Sequence, residues 1–466
     1  MFEDGASVAR GGDGVPAAPA PASAAGARSA PAVPVTAETL QSWITDLTLL
    51  DRSVDDAGRV SQLELLERLK SAAAAAQAVV TVDFAASQRA EQVAAGVPAA
   101  RLGLGVGAQV GLARRDSAFR GGRYLGLAQA LTSELPATLA ALRVGDVSEW
   151  RATIVCRETA CLDPADRRTA DAELAPVLAG LGDREVEAAA RAVAYRLDPR
   201  AFVDRSAAAA KDRTVTLRPA PDTMSRLGGF LPVAQGVAAH TALATEADRC
   251  RAEGDPRSRG QIMADTLVQR VTGQQTADAV PVEVQLVMSE QTLLAGGDEP
   301  AELAGAGGPV PAAVARAMVT DPDATVWLRR VYTRPADGTL VAMDSTRRRF
   351  PTGLRRLLAV RDRTCRTPWC GAPIRHTDHV VPVEDGGRTS AANGQGLCEA
   401  CNYTKQAPSW RATPAPGPAG AGDWVEITTP TGHRYTSRPP ALPGARAPSE
   451  HPSRLEEHWR RLIHAA

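Results

Sequence analysis

A chain of 466 residues has the length for roughly two to four domains. Its 53 Lys and Arg balance 53 Asp and Glu, which excludes a globally basic nucleic-acid binder and requires any basic footprint to be local. With aromatic residues at 4% and alanine abundant, the composition favours helices packed through small residues over a β-sandwich.

Residues 1–35 are mostly Ala, Pro, Gly and Ser and read as a disordered leader. They lack a basic start followed by large apolar residues, so no signal peptide is expected. Order is expected from Thr36. In "TAETLQSWITDLTLL" the residues Leu40, Trp43, Ile44 and Leu47 fall at helical spacing. "SQLELLERLKSAAAAAQAVV" pairs Ser61 with Glu64 as a capping box and sets Leu65, Leu66, Leu69, Ala73 and Ala76 on one face. The weakly polar run Ala72–Val82 is too short to span a bilayer, so no membrane partner is expected. Further helices are predicted over Tyr124–Leu135, Ala137–Leu142 and Ser148–Ala160, with boundaries at Pro136, Asp163-Pro164 and Gly182-Asp183. Short strands are predicted at Thr214–Arg218 and Val282–Met288, and a loop at Gly305–Pro311. Beyond Asp321 come two strands around the turn Pro335–Gly338, a basic helical stretch, and then a cysteine-rich segment. After Trp410 the chain turns Pro/Gly-rich and ends with a small β piece and a charged helix. The expected division is a leader (1–35), a helical domain (36–320), a second domain (321–410, core 361–410) and a C-terminal extension (411–466).

Four of the seven cysteines crowd into "CRTPWCGAPIRHTDHVVPVEDGGRTSAANGQGLCEACNYTK". Cys365 and Cys370 form one pair, Cys398 and Cys401 the other. Two such pairs suit a tetrahedral zinc ion, and four thiolates leave no open position, so the expected zinc is structural. Cys156, Cys161 and Cys250 sit in helical contexts and read as core residues. An odd, clustered set in a large chain fits an intracellular metal site better than a disulfide framework, and places the protein in the cytoplasm.

Between the pairs lie Asp378-His379 before Pro382, the turn "EDGGRTS" and Asn393; Asn402 follows Cys401, and Lys405 lies about one helical turn further on. "DH…P…GGRTS…N…LC…CN…K" resembles the HNH endonuclease motif, whose fold is a ββα-metal finger. Upstream, "LTSELPATLAALRVGDVSEWRA", "KDRTVTLRPAPDTMSRLGGFLP", "GDPRSRGQIMADTLVQRVTG" and "EPAELAGAGGPVP" resemble the helical domain of unknown function (domain of unknown function 222) that precedes this motif in many actinobacterial proteins. The expected fold is therefore a mainly α N-terminal domain with a few short strands, followed by a small zinc-bound ββα-metal (HNH, His-Me finger) domain.

The resemblance implies hydrolysis of DNA phosphodiester bonds. It gives His379 the role of general base, and Asp378 and Asn402 a catalytic Mg²⁺ or Mn²⁺. Asn393 would tie the loop to the strand and orient the His379 ring. The family usually carries histidine where Asn402 stands, often histidine where Cys401 stands, and leucine where Gly394 stands. A neutral amide binds a metal more weakly than imidazole, and Gly394 is expected to loosen the loop. His376 and His433 read as structural or incidental.

From Arg347 to Arg411 twelve basic residues face five acidic ones, a local charge of +7 that suits a DNA partner. Arg355, Arg356, Arg363, Arg366 and Lys405 are the candidate DNA contacts. Two other readings compete. One is a non-catalytic zinc-dependent DNA-binding protein with a degenerate HNH finger. The other places the biological role in the helical domain, through a protein partner or self-association.

Overall fold

The computed structural model describes residues 34–222, 224–274, 286–303, 309–320, 349–415 and 423–441. Residues 1–33 of the expected leader, the paired strands expected around Pro335–Gly338 and the terminal helix lie outside the described residues. The chain divides into two units, Met1–Glu64 and Leu65–Ala466. Among the described residues no helix is long and apolar enough to cross a membrane.

In the first unit, helix α1 (Ala37–Thr48) starts where Thr36 Oγ1 accepts from the Thr39 amide at 3.3 Å. It buries no residue, and Trp43 and Ile44 stay exposed. Helix α2 (Asp56–Ala94) begins earlier than the Ser61 capping box predicted. Asp55 Oδ1 accepts from the Gly58 amide at 2.8 Å, whereas Ser61 lies inside the helix and donates to the Ala57 carbonyl.

The second unit begins within α2. Its buried face is Ser71, Ala74, Ala75, Ala78, Thr81, Ala85 and Gln88, not the leucines. Leu65 is 61% and Leu69 39% exposed. Arg68 makes the inward contact in that turn, donating from Nε and Nη2 to the Val144 carbonyl. The bundle continues through α3 (Val106–Ala113), α4 (Ala118–Ser133), α5 (Pro136–Val144), α6 (Glu149–Glu158), α7 (Pro164–Leu178) and α8 (Asp183–Leu197). Punctuation acts as expected here. Pro136 opens α5, Ser148 caps α6 from its hydroxyl, and Asp163 caps α7 ahead of Pro164. Leu131, Leu135, Leu142, Val155, Leu174, Leu178 and Val186 fill the core, with Ala75 and Ala78 of α2 against them.

Beyond the core lie α9 (Pro199–Ala209) and an antiparallel hairpin, β1 (Thr214–Pro219) with β2 (Ser225–Phe230), followed by α10 (Val233–Ala252) and α11 (Arg259–Thr272). A three-stranded sheet joins β3 (Leu286–Val287), β4 (Ala301–Leu303) and β5 (Pro309–Val310), alongside α12 (Glu290–Leu294) and α13 (Ala312–Thr320). The expected strand at Val282–Met288 survives as β3 within the described residues. The expected loop at Gly305–Pro311 contains β5, because Ala301 pairs with Val310.

The C-terminal part is small. Helix α14 (Thr352–Asp362) packs on an antiparallel pair, β6 (His376–His379) and β7 (Gly394–Leu397), and helix α15 (Glu399–Lys405) follows. A sheet of β8 (Arg411–Ala415), β9 (Trp424–Thr428) and β10 (Arg434–Ser437) closes the described chain. The architecture is thus mainly helical, then a ββα finger.

Candidate metal centre and ββα finger

Cys365, Cys370, Cys398 and Cys401 bring their Sγ atoms within 4.8 Å of one another. Cys370 Sγ lies 3.7 Å from both Cys398 Sγ and Cys401 Sγ, far beyond disulfide length. A tetrahedron with 2.3 Å metal–sulfur bonds has edges of about 3.8 Å, so these thiols are already spaced for a four-thiolate ion such as zinc. Cys398 is also the N-cap of α15, its Sγ accepting from the Cys401 amide. Protons are shared unequally in the cluster. Hydrogen bonding from Cys370 draws Cys365 down to about 7, and the surrounding thiols also lower Cys398. Cys370 and Cys401 are pushed up, chiefly by their hydrogen bonding to Cys365.

Asp378 and His379 end strand β6 beside β7. His379 Nε2 is 2.9 Å from Thr389 Oγ1, and its ring lies 4.4 Å from that of Phe350. Asn393 is 8% exposed and bonds across the loop. Its Oδ1 accepts from the Val381 amide at 2.8 Å, and its Nδ2 donates to the Val381 and Arg388 carbonyls at 2.9 Å. Those bonds are all to backbone, so Asn393 shapes the loop, while Thr389 and Phe350 contact the His379 ring. Gly387 must be glycine, because a Cβ there would lie 1.9 Å from the Val381 carbonyl oxygen. Gly394 opens β7. It is buried, and a Cβ would meet Leu358 Cδ1 at 2.5 Å and Phe350 Cε1 at 2.8 Å.

On α15, the Asn402 Oδ1 atom is buried and has no hydrogen-bond partner. Lys405 donates to the His379 carbonyl and pairs with Asp378 Oδ2 at 2.6 Å. Lys405 is thus turned inward, at 15% side-chain exposure, against the strand end that carries Asp378 and His379.

Two candidate DNA contacts are corrected. Arg366 has 2% side-chain exposure and bonds Asp362 Oδ1, Ser437 Oγ and the Asp423 carbonyl. Arg363 is mostly buried, paired with Glu302 and bonded to the Ala441 carbonyl. Arg355 and Arg356 are exposed on α14. The buried arginines belong to a frame around Asp362. Its Oδ2 accepts from the Gly396 amide at 2.7 Å, and Arg361 reaches the Ala391 and Gly394 carbonyls at 2.7 and 2.6 Å. This frame fixes β7 and is hidden in the sequence because "RDRTCR" reads as a basic surface run. His376 starts β6, and His433 Nδ1 lies 2.9 Å from Thr431 Oγ1 in a turn.

Residues 63–362 match the family model described as Domain of unknown function (DUF222), and residues 365–407 match the HNH endonuclease model. No curated protein and no solved structure matches the chain. The helical bundle and the four-cysteine finger thus follow in the order of these two models, and the chain belongs to the DUF222 family, with an HNH endonuclease domain at the end of the helical part.

Proposed function

We propose that the finger is a divalent-metal-dependent DNA endonuclease, framed by a structural zinc on Cys365, Cys370, Cys398 and Cys401, and acting in the cytoplasm. The observation that carries this reading is the convergence on one ββα unit of the Asp378-His379 strand end, the Asn393-tied loop and the buried, unsatisfied Oδ1 of Asn402. A buried carbonyl oxygen without a donor is costly unless a cation meets it, and Asp378 supplies a second hard oxygen. Asp378 and Asn402 would hold Mg²⁺ or Mn²⁺, which when bound supplies positive charge to phosphate and leaving-group oxygens.

His379 performs the proton transfer. When Nε2 donates to Thr389, Nδ1 carries the lone pair that accepts a proton from the attacking water. Phe350 restricts the ring to one face of the loop. Asn393 keeps Val381 and Arg388 in register, so the histidine, the strand end and Thr389 hold one geometry. Arg355 and Arg356 supply exposed cations for the DNA backbone.

The test is nicking of supercoiled plasmid by the zinc-loaded protein with Mg²⁺ or Mn²⁺, with His379→Ala alongside. Metal-dependent nicking that the variant lacks supports the assignment; equal activity in both sinks it.

One observation favours a second reading. Lys405 already neutralises Asp378, and Asn402 is a weaker ligand than imidazole. A non-catalytic DNA-binding finger predicts salt-sensitive binding, unchanged in His379→Ala, and no cleavage with any divalent ion.

A further inference from the structure

Helix α15 has seven residues, too few to be stable by itself. It nevertheless carries Cys401, Asn402 and Lys405. Its N-terminal end is held by the cysteine cluster. Its C-terminal end is held from the helical domain, where Arg101 Nη2 donates to the carbonyl of Gln406, the C-cap of α15, at 2.9 Å. A guanidinium there satisfies an orphan carbonyl and opposes the negative end of the helix dipole.

The docking surface behind Arg101 is built from glycine. A Cβ on Gly121 would lie 2.0 Å from the Gly107 carbonyl oxygen, and one on Gly111 would lie 2.6 Å from the Ser117 carbonyl oxygen. The backbones of α3 and α4 are therefore in direct contact. Ala118, the first residue of α4, packs against the four-cysteine cluster. Gly105, at φ 85°, faces the indole of Trp410, where a Cβ would come within 2.5 Å of Nε1. Further along, Thr431 donates to Gln109 Oε1 at 3.1 Å, and Gln109, 5% exposed, donates to Gln88 Oε1 of α2 at 3.0 Å. A cavity at this junction is lined by Ala108, Leu112 and Ala118 on one side and Leu397, Cys401 and Lys405 on the other.

We infer that the helical domain is a positioning platform for the finger. The finger has its own small core of Phe350, Leu354, Leu358 and Ala391, and the α3–α4 side adds a seat for α15, through Ala118 at the cysteine cluster and Arg101 at the C-terminal end of α15. Arg101 and Gly105 are then positioning residues, acting on Asn402 and Lys405 through the helix that carries them. The inference goes beyond the endonuclease reading and does not need it, because the placement of α15 is measurable without DNA.

The experiment is hydrogen exchange by mass spectrometry on the full-length, zinc-loaded protein. Wild type is compared with Arg101→Ala, Arg101→Lys and Gly105→Ala, with Arg249→Ala on α10 as a control. Arg101→Ala is expected to speed exchange of the α15 amides roughly fivefold, the size of one charged hydrogen bond at a helix end, with α5–α8 unchanged and zinc still stoichiometric. Arg101→Lys should restore most of the protection, since it keeps the cation at the carbonyl. In nicking assays Arg101→Ala should lower kcat and leave KM for DNA unchanged. Two results overturn the inference: α15 exchange equal to wild type in both Arg101→Ala and Gly105→Ala, or faster exchange spread evenly over bundle and finger. Arg101→Ala decides the matter by itself if Gly105→Ala fails to fold, because the Arg101 side chain is exposed and outside the bundle core. Absent nicking in wild type with α15 exchange still shifted in Arg101→Ala would remove the nuclease reading and leave the platform standing.

Discussion

Lys405 Nζ stands 2.6 Å from Asp378 Oδ2, so an ammonium already neutralises the carboxylate that the endonuclease reading assigns to a divalent ion. Lysine and metal then compete for one oxygen. Lys405→Met is expected to tighten Mn²⁺ binding by roughly three- to tenfold, the scale of a partly exposed ion pair worth about 1 kcal/mol. Electron paramagnetic resonance of Mn²⁺ without DNA reads this directly. Weaker binding in the variant would mean that Lys405 supports the metal site instead of competing with it.

His379 and Thr389 separate chemistry from stability. Removing a general base lowers kcat by roughly 10²- to 10⁴-fold, and His379→Ala should do so while leaving zinc content unchanged. Thr389→Val keeps the shape and loses the partner of Nε2, so the tautomer is no longer held. A loss of roughly tenfold with an altered pH–rate profile is expected. If Thr389→Val keeps the wild-type pH profile, the Thr389 bond does not govern the base.

The cysteine cluster sets a pH dependence for metal uptake. Cys370 and Cys401 are raised and hold their protons at neutral pH, whereas Cys365 lies at about 7 and Cys398 is lowered. Thiolate, not thiol, binds the metal, so protons compete and affinity falls as pH falls. Zinc binding near pH 7 should release roughly two protons or more, and the logarithm of affinity should rise by about that number per pH unit. Titration calorimetry in buffers of different ionisation heat counts these protons. Cys401→Ser should lose the metal and the order of α15 while α5–α8 keep their helical signal.

The sequence and the structure agree most where chemistry dictates spacing. The paired cysteines were legible because a tetrahedral metal site demands thiols at fixed intervals, and the strand that ends at Asp378-His379 was legible because Pro382 stops it. Helix starts marked by Ser148 or Asp163-Pro164 were equally legible, since capping is local. What stayed hidden depends on approach between distant segments. Gly105, Gly107, Gly111 and Gly121 look like weak helix formers until the backbones they admit are known. The glycine spacing in "GLGVGAQVG" was the available signal for the platform. The alanine face of α2 was hidden for the same reason: leucines are the obvious core candidates, but close packing selected Ala75 and Ala78.

Arginine is the residue that composition misassigns most here, and it allows a clean partition. Arg355 and Arg356 are exposed on α14, whereas Arg366 is buried against Asp362, Ser437 and Asp423. Replacing both exposed arginines by alanine should weaken DNA binding uniformly across sequences and lower the salt slope by about two, since each arginine neutralises one phosphate. Thermal stability should stay within about 0.5 kcal/mol of wild type, as for other exposed positions. Arg366→Ala should do the reverse. It leaves Asp362 short of one buried partner and the Asp423 and Ser437 carbonyls without their donor, so destabilisation of about 3–5 kcal/mol is expected. At temperatures where the variant remains folded, its salt slope should match wild type, because Arg366 is turned away from solvent and from any phosphate. A lowered slope in folded Arg366→Ala would return that residue to the DNA interface and contradict its burial.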